Sequence, residues 1–123
     1  MEQERTGQFL KVEGLKKQYE NGFKAVNGLN VKMFSDQIFV LLGHNGAGKS
    51  TTISMLTGLI NSSEGRASLF GIDMFSQMGQ ARQTMGVCPQ HDVLFDLLTP
   101  EEHLEIFYEF KGADTSNKDK EIQ

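Results

Sequence analysis

The chain has 123 residues, enough for one small domain or a piece of a larger one. It is 38% hydrophobic and 23% charged with a net charge of −4, a globular balance, and its basic residues are scattered, which argues against a nucleic-acid partner. Its longest apolar run is IFVLL, far below the ~20 residues that cross a bilayer, its start MEQERTGQF is no secretory signal, and a lone Cys88 excludes an internal disulfide framework. A reducing compartment is expected: the cytosol, or the cytosolic face of something larger.

In chain order, FLKVEGL (9–15) and LNVKMF (29–34) alternate enough to predict strands, and YENG between them supplies turn chemistry. IFVLL (38–42) is apolar throughout, as a strand covered on both faces of a partly parallel sheet would be. From Ala47 to Ile60 the apolar positions Ile53, Met55, Leu56, Leu59 and Ile60 predict a helix packed on that sheet, with Gly58 a minor blemish. NSSEGR (61–66) reads as a loop and ASLFG (67–71) as a short strand. GQARQTM (79–85) predicts a short helix. GVC (86–88) predicts a buried strand stopped by Pro89, with Cys88 a buried small hydrophobe.

TPEEHLEIFYEFKG (99–112) carries the fullest helix signals. Thr99 can cap it, Pro100 takes the first helical position, and Glu102 follows the cap at capping-box spacing. Leu104, Phe107, Tyr108 and Phe110 offer an apolar side, the acids at 101, 102, 105 and 109 a solvated face, and Gly112 an end. ADTSNKDKEIQ (113–123) lacks a core face and is expected to be a loose polar tail.

GHNGAGKSTT (43–52) has the spacing G-x-x-x-x-G-K-[ST] and stands between an expected strand and an expected helix. Gly43, Gly46 and Gly48, with Asn45 and Ala47 between them, let the backbone wrap closely and turn several N–H groups inward. Those donors and the positive end of the following helix make an anion cradle. In such a loop Lys49 reaches the β- and γ-phosphates, Ser50 places its hydroxyl on Mg²⁺, and Thr51 adds an α-phosphate contact. The expected ligand is a nucleoside triphosphate.

Three passages resemble the ATP-binding domain of ABC transporters, from about residue 9 to residue 112. KKQYENGFKAVNGLNVKMF resembles the antiparallel part in which an aromatic stacks on adenine, which puts Tyr19 in that role and Val26 beside the ribose. GHNGAGKSTTISMLTGLINSSEGRASLFG resembles the family's phosphate loop and the stretch after it. GVCPQHDVLFDLLTPEEHL resembles the Q-loop, which implies that Gln90 helps hold Mg²⁺ and the attacking water and senses a transmembrane partner. GHNGAGKST with His44, and VCPQHDVLFDLLT, are similar to the eukaryotic A subfamily, the large lipid exporters.

The resemblance implies an α/β fold, a P-loop NTPase-type core with an antiparallel β subdomain, of which residues 1–112 would be the N-terminal half. It implies ATP and Mg²⁺ as cofactors, with Lys49 and Gln90 catalytic and Ser50 and Gln90 on the metal. The implied partners are a transmembrane domain and a second nucleotide-binding domain, at the cytosolic face of a membrane. Plainer readings stand beside these: Tyr19 as a strand-edge aromatic, Gln90 as a loop glutamine, His44 as a solvated side chain. His91 and His103 lack metal-ligand spacing with each other or with Cys88.

The family's L-S-G-G-Q signature, its apolar strand ending in Asp-Glu and its switch histidine are not found in these 123 residues. SQMGQ (76–80) precedes the Q-loop resemblance and lacks the paired glycines, and VLFD (93–96) is followed by Leu97 where the catalytic Glu belongs. The expectation is a chain that binds Mg-ATP without turning it over alone, marginal as a free monomer because a sheet edge would be unpaired. Two other classes remain open. A GTPase or small-molecule kinase would need a guanine motif or an acceptor lid; SNKDKE fails the first because Lys120 takes the Asp slot. The other is a non-catalytic regulatory fragment.

Overall fold

Two alternating apolar runs joined by YENG make a long hairpin the local outcome at the start of the chain. A computed structural model describes residues 7–112, and the polar tail expected over 113–123 lies outside them. The chain divides into two compact units, Met1–Gly86 and Val87–Gln123.

In the first unit, β1 (Phe9–Gln18) and β2 (Lys24–Phe34) pair antiparallel. Both run longer than the alternation predicts, because the turn is tight. Tyr19 N–H donates to Phe23 O and Gly22 N–H to Tyr19 O, each at 2.9 Å, so pairing persists to Gln18 opposite Lys24. β3 (Glu64–Leu69) adds antiparallel to the other side of β1, and β4 (Ile72–Asp73) pairs with β3, giving the order β2-β1-β3-β4. Irregular register between Val12 and Leu15 bulges β1 there, so both residues are buried despite their odd spacing. With Val26, Ala67 and Leu69 they form a core that takes in Met55 and Leu56 of α1 (Lys49–Leu56), Met74, and Ala81 of α2 (Met78–Gln83).

Several expectations are corrected. IFVLL (38–42) is no strand: Ile38 is 97% and Leu42 83% exposed, and among the described residues no strand runs beside it. A continuous apolar run records a demand for cover on two faces, and the antiparallel sheet here supplies none. α1 covers 49–56 rather than 47–60, because Gly58 adopts φ 73°, a left-handed stop, and Leu59 N–H turns back to Ser54 O at 2.8 Å. Leu59 is consequently exposed. Half of NSSEGR belongs to β3, which ends at Leu69 because Phe70 and Gly71 turn the chain into β4, an element the sequence did not announce. α2 runs over 78–83, slightly earlier than expected.

GVC (86–88) forms no strand, and in the second unit Val87 is exposed and Cys88 is an exposed free thiol rather than a buried hydrophobe. α3 (Pro100–Phe110) has the expected capping box: Glu102 N–H donates to Thr99 Oγ1 at 3.3 Å, and Thr99 N–H donates to Glu102 Oε2 at 2.7 Å. Its buried residue is His103, however, while Leu104, Phe107 and Phe110 stay substantially exposed and Glu105 is partly covered.

Candidate nucleotide-phosphate site

The phosphate loop is built where the exposed 38–42 segment meets α1. Ala47 N–H donates to His44 O at 3.1 Å and closes a turn at the loop's tip. Gly48, the N-cap of α1, adopts φ 92° with its α-carbon against β2. A Cβ there would stand 2.3 Å from Ala25 O and 3.1 Å from the Val26 side chain, so only glycine lets the loop lie on the sheet. A Cβ on Gly43 would sit 2.9 Å from that of Ala47, which keeps the loop's two limbs close.

Lys49 folds back across this loop. Its ammonium donates to Gly43 O and, at 2.8 Å, to His44 O, while His44 Nδ1 lies 2.8 Å from Asn45 O. Thr52, which the sequence reading passed over, is buried and donates from both its N–H and its hydroxyl to Gly48 O at 2.8 Å, pinning the glycine cap. That is the helix's first rung, so the amides of Lys49, Ser50 and Thr51 precede it and have no acceptor within the helix. Ser50 is exposed and Thr51 partly covered.

A cavity of about 550 Å³ opens between the loop and β2, lined by Val26, Ala47, Gly48, Lys49 and Thr52 among others. The charged residues in its lining are Lys24 and Lys49, both cationic, which suits an anion. Val26 is thus brought to the phosphate loop. Tyr19 is not among the lining residues; it sits at the hairpin turn, half-exposed, its ring 6.5 Å from that of Phe23 and tilted 14°, with Lys17 Nζ 5.3 Å from its centroid. The far end of α1 is capped by a residue the sequence reading did not single out. Arg82 donates to Thr57 O and Gly58 O at 3.1 Å, where the helix dipole is negative.

Gln90 lies in the second unit, exposed, in a stretch without regular structure between Met85 and α3. Downstream, Phe95 N–H donates to His103 Nε2 at 2.8 Å, and His103 Nδ1 lies 2.8 Å from Thr99 O. The hydrogen bonds from Thr99 hold the Glu102 carboxyl below the usual carboxylate range. Among the described residues no cluster of His, Cys, Asp and Glu is arranged to hold a metal ion, and no helix is long and apolar enough to cross a membrane. The chemistry of the loop fits a nucleotide's phosphates: amides with no acceptor inside the helix, a lysine satisfied only by carbonyls, and no carboxylate in the lining.

Comparison with known proteins gives this geometry its family. The model of the family described as "ABC transporter" matches residues 26–123. Phospholipid-transporting ATPase ABCA3 of Homo sapiens is 45% identical over 117 residues, 93% of this chain and 7% of that protein. ABC transporter A family member 5 of Dictyostelium discoideum is 47% identical over 106 residues, 84% of this chain and 6% of that protein. The chain therefore spans a small fraction of the curated relatives it matches. An ATP-binding subunit of an ABC transporter superposes with a TM-score of 0.69 at 28% identity, over 89% of this chain and 45% of that one. An ATP-binding cassette solved in its ADP conformation gives 0.72 at 26% identity, over 89% and 44%. The described residues are part of an ABC ATPase fold.

Proposed function

The chain belongs to the ABC transporter family, and from that premise we propose that it is the N-terminal, ATP-binding half of a motor domain that couples ATP binding and hydrolysis to lipid movement across a membrane. The observation that carries the proposal is the Gly43–Thr52 loop, pressed onto β2 at Gly48 with Lys49 folded over it. On this reading the amides of the loop, including those of Asn45, Gly46 and Ala47, receive the phosphates, and Lys49 exchanges its carbonyl partners for phosphate oxygens. Ser50 would hold Mg²⁺, which would neutralise phosphate charge, and the resemblance of the Q-loop passage gives Gln90 a metal-holding role as well. Thr51 contacts the α-phosphate, Val26 backs the ribose, and Tyr19 offers its ring to adenine.

Phospholipid is the proposed cargo because the relatives named for a cargo carry that word. A transmembrane domain and a second nucleotide-binding domain are the proposed partners, and the cytosolic face of a membrane the proposed site of action. These 123 residues on their own bind Mg-ATP without appreciable turnover, since no general base or signature sequence accompanies the cradle.

The test is Mg-ATP and Mg-GTP affinity of the chain beside Lys49→Ala. Charge-assisted hydrogen bonds are worth ~1.5–3 kcal/mol, so the variant should bind ATP roughly ten- to a hundredfold more weakly. Little preference between purines fits a site built on stacking. A sharp GTP preference, or Lys49-dependent steady-state hydrolysis, overturns the reading.

A further inference from the structure

We propose that His103 is a positioning residue: its neutral imidazole staples the segment following Gln90 to the N-terminus of α3, and mild acid releases the staple by protonating the ring. His103 is 9% exposed, and both ring nitrogens are engaged. Phe95 N–H can donate to Nε2 at 2.8 Å only if Nε2 carries no proton. The ring's proton therefore sits on Nδ1, donated to Thr99 O at 2.8 Å. The Phe95 ring packs 5.8 Å from the imidazole. One side chain thus ties a backbone amide of an irregular segment to the cap residue of a helix.

An imidazolium has two N–H donors and no acceptor, so acid turns the Phe95 contact from a hydrogen bond into two opposed donors. On α3 the charged neighbour of the ring is Glu102, which interacts with it electrostatically but is engaged by Thr99 N–H at 2.7 Å. From the tethered segment the titratable groups are His91, Asp92 and Asp96, all exposed. Thr99 and Phe95 bring only a carbonyl, an amide and an apolar ring. The Phe95 amide donates to His103 Nε2, so release leaves the segment from Gln90 onward without this anchor. The consequence for Gln90 rests on the coupling role proposed above; the staple itself does not.

The experiment reads the staple alone, in the ¹⁵N-labelled 123-residue chain. Long-range ¹H–¹⁵N spectra give the His103 tautomer, and amide exchange corrected for intrinsic rates gives the protection of Phe95. The expected result is an Nδ1–H tautomer and about five- to tenfold protection of Phe95 near neutral pH. That protection should be lost as the pH is lowered from neutral to mildly acid, since a protonated ring offers the Phe95 N–H no acceptor. His103→Gln, with one donor and one acceptor that do not titrate, should give a flat profile, and His103→Ala no protection at any pH. His91→Gln should leave the wild-type profile in place. An Nε2–H tautomer overturns the proposal. So does a Phe95 amide that is unprotected throughout, or protected equally across this pH range, in the wild-type chain.

Discussion

Gly48 is the residue on which the phosphate loop turns. Its φ of 92° and its approach to Ala25 O leave no room for a side chain. Gly48→Ala should therefore cost about 2 kcal/mol or more, from the left-handed backbone and the forced shift of β2. Urea unfolding should show the loss of stability, and ATP binding should fall with it. Cys88 makes the opposite kind of statement. Its exposure predicts that a thiol reagent modifies the native chain at nearly the rate seen in denaturant; slow, protected labelling would contradict the structure. The glycine spacing and Lys49 were legible in the sequence, because the loop's chemistry is local. Thr52, Arg82 and His103 were not, because their partners are carbonyls and amides whose positions no residue pattern encodes. The spacing of Thr99, Glu102 and His103 in TPEEH was the nearest available signal for the last of them.

Elements were legible where their limits are local. α3 was read correctly at its N-terminus because the capping box is written in four consecutive residues and confirmed by two hydrogen bonds. Thr99→Ala should destabilise the helix by roughly 0.5–2 kcal/mol, read as lost helicity and earlier urea unfolding. The cap also titrates. Glu102 is held ionised by the Thr99 hydrogen bonds, so its folded-state carboxyl titrates lower than the unfolded one. Its stabilisation is present above the unfolded carboxylate range, near pH 4.3, and is lost as pH falls through the lower folded value. Glu102→Gln keeps the acceptor but should flatten that part of the stability–pH curve. α1 was read too long because its apolar spacing continues past Gly58, whereas the left-handed glycine and the Arg82 cap end the helix.

At the scale of the molecule, the exposure of 38–42 separates what is apolar from what is buried. Ile38→Ala should change the stability of this chain by less than about 0.5 kcal/mol, since the side chain is 97% exposed. Leu15→Ala, at a fully buried position in the same unit, should cost about 2–5 kcal/mol. Parallel urea titrations decide the comparison, and equal costs would place 38–42 in a core. The family fold was recognisable from three passages because each carries ligand or turn chemistry. The sheet order β2-β1-β3-β4 was not, since nothing in β3 states that it pairs beside β1.

The sequence by itself determined the glycine-rich loop, the hairpin, the capped helix and the family, because each depends on residue types at short fixed spacings that act through local backbone geometry. Only the tertiary structure decided which apolar segments found cover. It also decided where α1 stops, that Val26 rather than Tyr19 meets the loop's cavity, and that His103 closes on the Phe95 amide. Burial and hydrogen-bond pairing across the fold depend on which surfaces arrive, and a one-dimensional pattern records only what each surface would accept.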